Sequence, residues 1–474
     1  MTRKVIFGPP GTGKTRTMIQ LTREHLDQAP GNMVLFCSHT KAAAQTAVQR
    51  WGAATGRLEI STIHSHCFRQ LGLSMAQTVD DAKLKYFVQQ FGMDLEDGSE
   101  ARAYLECVDM ATGRGIPLPE AYNQSSRPGT VGHFLAFARS YQQWKRQFGY
   151  VDFTDMLVQY PARVRSVSRY TMLAVDEAQD LTPAHWGVVY HFMKLAPECK
   201  VLVAGDDDQC IYGYTGAMAL GAADFAEKTG ADSTVLGQSF RVPRAVHHVA
   251  QRVIGRVSKR VEKQYAPRDA DGVVQPWGEF QWGHSAGRED RDTLILYSDR
   301  FIRKELVEPA LMDRGTPYST LSGFPGPLDT RVGKSIILAH KPGDLSRSEV
   351  SDLRRGLSEH GREAIDAVGY QPVLEKIRKL DSRILGKCHW THEDYYRRVN
   401  WTRLLADGIK VKISTIHGAK GMEAQDVHLI TARSPAQVSQ SSVDPDAQHR
   451  LFYVGVTRAS ERLFLYGGDN CYEV

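Results

Sequence analysis

Short apolar runs that stop abruptly at glycine or acidic residues recur along the chain: VIF at 5–7, MLAV at 172–175 and VLVA at 201–204. Each is continuous rather than alternating, which predicts strands covered on both faces, as in a parallel sheet flanked by helices. The first runs through a glycine-rich turn into a helix-compatible segment (Met18, Ile19, Gln20, Leu21). Other stretches carry helical periodicity instead: DDAKLKYFVQQFG (80–92), FLAFARSYQQWKRQFG (134–149), RSEVSDLRRGL (347–357) and QPVLEKIRKL (371–380). In RAVHHVAQRVIGRVSKRVEKQ (244–264) the pattern predicts one helix, with Arg252, Arg256, Lys259, Arg260 and Lys263 on one face and Val249, Val253, Val257 and Val261 on another. That face reads equally as phosphate-facing or as merely solvated. No apolar run approaches a membrane span, and the N-terminus has no leader pattern, so a non-secreted, cytoplasmic protein is expected.

At 474 residues the chain exceeds one compact core, so several packed units are expected. Seven scattered cysteines without a CxxC pair disfavour a disulfide framework or a zinc site. A net charge of +5 says little by itself about a polyanionic partner.

The chemistry begins in the turn after the first run. Gly8, Gly13, Lys14 and Thr15 fit GxxxxGK[ST] between a strand and a helix, the setting of a phosphate cradle. The loop Gly8, Pro9, Pro10, Gly11, Thr12, Gly13 would turn its N–H groups onto phosphate oxygens at a helix N-terminus. Lys14 would neutralise the β and γ phosphates, and the Thr15 hydroxyl would ligate Mg²⁺. Far downstream, VDEAQD (175–180) ends a buried-type strand in Asp176, a second Mg²⁺ ligand, and Glu177, a base for the attacking water. A third strand ends in GDDDQ (205–209), where Gln209 is a water-orienting candidate. Lys14 and Asp176 lie much farther apart than one crossover requires, so a helical insertion is expected at about 71–150.

GPPGTGKT, VDEAQD and GDDDQCIYGYTGA are followed in order by GQSFRVP (237–243), VKISTIHGAKGMEAQDV (411–427) and RLFYVGVTRA (450–459). With STIHSHCFRQL (61–71) and YVDFTDML (150–157), the set resembles the UvrD/Rep-type superfamily 1 DNA helicases over most of the chain. The resemblance implies an α/β fold: two RecA-like P-loop cores with parallel sheets, each carrying a mainly helical inserted subdomain. It places the first core at 1–70 and 141–240, its insertion at 71–140, the second core at 241–325 and 406–474, and a short accessory insertion at 326–405. It implies ATP and Mg²⁺ as cofactors, with Arg241 and Arg458 as arginine fingers on the far core, Phe240 stacking on the base and Glu423 near the ribose and γ-phosphate. It further implies that Lys41, Thr62, His64, Tyr214 and His417 line a groove for single-stranded DNA. The expected activity is an ATP-dependent 3′-to-5′ translocase and helicase acting on single-stranded DNA and DNA junctions, with a loading or single-strand-binding protein as partner and no membrane.

Some positions depart from the family pattern. No adenine-reading glutamine stands upstream of the loop, so relaxed nucleotide selectivity is expected. Ser38 replaces a base-stacking phenylalanine and Thr215 an arginine, so a weaker grip on the strand is expected. The chain stops soon after Arg458, before the family's strand-separating hairpin, so translocation is more firmly expected than unwinding. Two rival readings use the same residues: a nucleic-acid-independent P-loop ATPase switch that loads or remodels protein, and a nucleic-acid-binding module with a decayed site. The intact set Lys14, Asp176, Glu177, Gln209, Arg241 and Arg458 argues against decay.

Overall fold

The computed structural model describes residues 2–474 except 53–55, 96–98, 125–128, 284–290, 322–324, 388–389, 436, 439–443 and 468–470. Of residues 41, 42, 390 and 391 it describes the backbone alone. The chain divides into two compact units, each assembled from three separate segments. Unit 1 holds Met1–Phe240, Val257–Pro267 and Asp446–Arg450; unit 2 holds Arg241–Arg256, Arg268–Pro445 and Leu451–Val474.

Unit 1 is built on strands β1 (Arg3–Phe7), β2 (Val34–Ser38), β3 (Leu58–Thr62), β4 (Met172–Asp176), β5 (Lys200–Gly205) and β6 (Asp232–Val235), all parallel in the order β3-β2-β4-β5-β1-β6. The apolar runs are continuous because both faces are covered. On one face Val5, Leu35, Leu173 and Val203 pack with Ile63, Met156, Trp186 and Phe225; on the other Ile6, Phe36, Ala174 and Leu202 pack with Met18, Ile19, Leu26 and Trp51. Burial of this kind stabilises by about 1.5–3 kcal/mol per large side chain.

Between β3 and β4 the chain forms the expected helical satellite. Helices Asp81–Gln90, Glu100–Arg114 and Val131–Phe148 enclose their own aromatic core of Phe87, Tyr104, Phe134, Phe137, Tyr141 and Trp144. The last of these helices runs to Phe148 and ends at Gly149 in a left-handed cap.

Strands β7 (Gln238–Pro243) and β8 (Ala266–Arg268) pair as a separate ribbon. Between them the sequence predicts one helix over 244–264, but the helix ends at Ile254. The rest is drawn out of helical geometry by acids of unit 1: Arg260 is spent on Asp208, and Lys263, fully buried, on Asp206, Asp207 and Asp208. Arg252 and Arg256 donate to the carbonyls of Val474 and Glu473. The five cations therefore do not form one phosphate-facing stripe.

Unit 2 repeats the plan with β9 (Val273–Trp277), β10 (Thr293–Tyr297), β11 (Tyr318–Thr320), β12 (Val411–Thr415), β13 (Ala424–Ile430) and β14 (Ala459–Tyr466), parallel in the order β11-β12-β10-β13-β14-β9. Helices Arg331–His340, Arg347–Arg355, Glu359–Val368 and Gln371–Arg378 occupy the stretch expected as an accessory insertion. Their residues Ile336, Leu353, Ile365 and Ile377 share one apolar core with Ile295, Tyr297 and Ile413 of the sheet. Among the described residues, no helix is long and apolar enough to cross a membrane.

Candidate active site

In unit 1 the carboxyl ends of β1, β4 and β5 lie side by side, and the catalytic candidates sit in the turns that leave them. The loop after β1 is held on three sides. Gly8 N–H donates to the Gly205 carbonyl at 3.0 Å. The Ser239 hydroxyl donates to the Pro10 carbonyl at 2.8 Å, and Phe240 N–H donates to the Gly11 carbonyl at 2.9 Å. Thr12 closes the turn by donating its hydroxyl to the Pro9 carbonyl at 2.7 Å. Two positions need glycine for stated reasons: Gly13 has φ +81° at the start of helix Lys14–Gln28, and a Cβ on Gly8 would lie 2.8 Å from Lys14 Cβ.

The helix then presents Lys14 and Thr15 to the end of β4. Thr15 Oγ1 donates to Asp176 Oδ2 at 2.8 Å, and Lys14 Nζ lies 3.4 Å from Glu177 Oε2. Burial works against the Lys14 ammonium, yet the carboxylates of Glu177, Asp176, Asp206 and Asp180 raise its pKa above the usual value. Burial, then the neighbouring Glu177 carboxylate, pushes Asp176 up to about 6. The strand ends here because Glu177 takes a left-handed conformation (φ 55°), rare for a side-chain-bearing residue, which sends consecutive carboxylates in different directions.

One glutamine ties the end of β4 to that of β5, and a second hangs from the residue after β5. Gln179, fully buried, donates Nε2 to Glu177 Oε2 at 2.5 Å and accepts Asp206 N–H on Oε1 at 3.0 Å. Gln209 donates Nε2 to Asp206 Oδ2 at 2.6 Å. Gln179, Asp206 and Ser239 were not among the residues expected from sequence. Gln179 and Asp206 stand within motifs already recognised, and only their contacts single them out.

The structure thus brings together Lys14, Thr15, Asp176, Glu177 and Gln209. Phe240 belongs to the same unit, a residue 69 % exposed whose backbone braces the loop. Arg241, Glu423 and Arg458 lie in unit 2. There Arg241 is ion-paired with Glu423. Arg458 is buried, donating to the carbonyls of Val454 (2.9 Å) and Met422 (3.2 Å) and to the Thr457 hydroxyl (3.1 Å).

The groove candidates behave differently from one another. Thr62 is the cap of helix Ile63–Gln70, accepting Ser65 N–H at 3.1 Å. His64 packs edge-on against His185 at 4.8 Å and near Phe153 at 5.5 Å, and burial, with His39 beside it, lowers its pKa to about 4. Phe153, over half exposed, is an aromatic face that the sequence reading did not single out. Tyr214 is 45 % exposed, in the turn after Gln209, as a stacking residue would be. His417 lies in the turn after β12 of unit 2. The side chain of Lys41 lies outside the described residues.

This arrangement can bind a nucleoside triphosphate: a backbone cradle, one cation for its phosphates and two carboxylates at the reacting end. Comparisons with known proteins agree with that chemistry. The UvrD/REP helicase N-terminal domain matches residues 2–229, and the UvrD-like helicase C-terminal domain matches 400–467. The ATP-dependent DNA helicase UvrD2 of Mycobacterium tuberculosis is 24% identical, with 97% of this chain and 76% of that protein covered. A putative ATP-dependent DNA helicase, YjcD of Bacillus subtilis, is 23% identical at the same coverage of both chains. PcrA of Staphylococcus aureus, another ATP-dependent DNA helicase, is 24% identical over 80% of this chain and 57% of its own. With one family domain framing the P-loop unit and a second the closing strands of the other sheet, the chain belongs to the UvrD/Rep helicase family.

Proposed function

We propose that this helicase hydrolyses ATP at the Lys14–Asp176 site and uses the cycle to move 3′ to 5′ along single-stranded DNA and to open duplex at junctions. The observation that carries this reading is the convergence of Thr15 on Asp176 and of Lys14 on Glu177 at the carboxyl ends of neighbouring strands. ATP lies with its phosphates on the loop Gly8–Gly13 and its base against Phe240. Glu177, turned away from Asp176 and held by Gln179, accepts the proton of the attacking water, which Gln209 orients. Thr15 and Asp176 suit Mg²⁺: a hydroxyl and a carboxylate oxygen 2.8 Å apart, hard oxygen donors beside the phosphate cradle. When bound, Mg²⁺ would offset charge on the transferring phosphoryl group.

Arg241 and Arg458 act as fingers on the γ-phosphate, and Glu423 lies near the ribose and γ-phosphate. Tyr214, His64, Thr62, Lys41 and His417 line the path of the strand, with Tyr214 as the stacking face. The domain plan belongs to the same proposal: the first core at 1–70 and 149–240, a satellite closing at Phe148, and the second core on the remaining strands.

The test is steady-state hydrolysis with and without single-stranded DNA, paired with unwinding of a duplex bearing a 3′ or a 5′ tail. The expected result is turnover stimulated many-fold by the single strand, falling steeply with salt, and unwinding from the 3′ tail. Hydrolysis indifferent to DNA would favour a protein-remodelling switch instead.

A further inference from the structure

Behind the hydrolytic residues lies an ionic cluster that the reading above leaves unused. Strand β5 is followed directly by three consecutive aspartates, Asp206, Asp207 and Asp208, all buried. Three adjacent buried carboxylates repel one another and lose their hydration, a cost that cations placed among them offset.

The cations come from the segment Val257–Pro267, in register with the acids. Arg260 makes a two-pronged contact with Asp208, Nε to Oδ1 at 2.8 Å and one terminal nitrogen to Oδ2 at 2.6 Å. Val261 N–H donates to Asp207 Oδ2 at 2.8 Å. Lys263, with no exposed side-chain surface, reaches all three: Asp206 Oδ1 at 3.2 Å, Asp208 Oδ2 at 3.0 Å, and Asp207. The three carboxylates raise its pKa against burial, which keeps the ammonium charged.

Among the contacts described, Lys263 is the cation that reaches the hydrolytic network directly. Asp206 is the hub: Oδ1 meets Lys263, Oδ2 receives Gln209, and its N–H is held by Gln179, which also holds Glu177. Arg260 touches Asp208 alone among the three acids in these contacts. The chain on either side of Val257–Pro267 belongs to unit 2, at Arg241–Arg256 and from Arg268 onward.

We propose that Lys263 is a positioning residue for ATP hydrolysis: it fixes the Asp206 carboxylate from which Gln209 hangs, and so ties the water-orienting group to a strap of chain anchored at both ends in unit 2. The inference rests on the roles given above to Gln209 and Glu177.

The test compares Lys263→Met, Arg260→Gln and Gln209→Ala in single-stranded-DNA-stimulated hydrolysis, with nucleotide affinity measured separately by a fluorescent ATP analogue. Lys263→Met is expected to lower kcat by roughly tenfold or more with KM and nucleotide Kd within about threefold, because orientation and not binding is lost. Arg260→Gln, which removes a cation of the same cluster, is expected to keep kcat within about threefold. If Lys263→Met does not fold, the double variant D206N/K263M, which removes both charges together, takes its place with the same expected loss. Turnover within about twofold of wild type in the folded Lys263 variant, or equal kcat losses in Lys263→Met and Arg260→Gln, overturns the proposal. An inactive Gln209→Ala beside a fully active Lys263→Met removes this inference alone, whereas a fully active Gln209→Ala removes the site reading on which it rests.

Discussion

Gln179→Leu keeps the side-chain volume nearly unchanged but removes three hydrogen bonds, a long one to Asp180 (3.5 Å) and two shorter ones with different consequences. On one side Asp206 N–H loses its acceptor in a fully buried position, which costs about 1–3 kcal/mol of stability. On the other side Glu177 loses the donor that fixes its Oε2, a charge-assisted bond worth about 1.5–3 kcal/mol. If that bond is needed only to aim the base in the transition state, its loss divides kcat by roughly 10 to 150, at 1.36 kcal/mol per decade. Gln179 makes no hydrogen bond to the loop Gly8–Gly13 among the described residues, so nucleotide affinity should change by less than about threefold. The assay is hydrolysis at saturating ATP and single-stranded DNA, with thermal unfolding in parallel to register the orphaned N–H. A variant that melts several degrees lower yet keeps kcat within about twofold would refute the reasoning, since Gln179 would then be a spacer between strands and not an aiming device.

Two other outcomes follow from the contacts described, and one from the finger role proposed for Arg458. Gly8→Ala places a methyl 2.8 Å from Lys14 Cβ, so the lysine must shift; nucleotide affinity should fall about tenfold or more by fluorescence titration, and an unchanged Kd would show that the cradle gives freely. Arg458→Ala should lower DNA-stimulated turnover by about 10³ or more while nucleotide binding to unit 1 persists, a split visible by comparing hydrolysis with nucleotide titration; retained turnover would remove the finger role. His428 lies fully buried, its Nδ1 2.8 Å from the Tyr466 hydroxyl; burial, with Arg462 nearby, lowers its pKa to about 3. Because the folded state then binds fewer protons than the unfolded one below pH 6.5, this residue withdraws stability as pH falls. The loss reaches about 2 kcal/mol at pH 5, so His428→Gln should narrow the drop in denaturation midpoint between pH 7.5 and pH 5, and an unchanged drop would contradict it.

Much of the site was legible because phosphate chemistry dictates local sequence. A cradle needs glycines at fixed offsets before a lysine, and a strand that delivers carboxylates must be apolar up to its last residue. Gly8, Gly13, Lys14, Asp176 and Glu177 could all be read this way. The contacts that hold those groups in place were not legible, because they join residues far apart in the chain. Nothing local to Lys263 distinguishes a lysine buried among three aspartates from one in solvent, and hydrophobic periodicity extended the helix past Ile254 because valines continue at helical spacing. Thr62 shows the opposite limit: motif position marked it as a groove residue, while its local geometry is that of a helix cap.

Three-segment assembly of each unit has a consequence for how the polypeptide is made. Unit 1 takes its final piece, Asp446–Arg450, from almost the end of the chain, and Arg450 closes onto the Asp207 and Lys259 carbonyls at 3.0 and 2.7 Å. No single cut therefore frees an intact half, and the emerging N-terminal portion waits until residues 446–450 have been made before its last stitch is available. Such long-range closure favours slow maturation, with premature termination leaving the unit 1 sheet complete but without the Arg450 contacts to the Asp207 and Lys259 carbonyls.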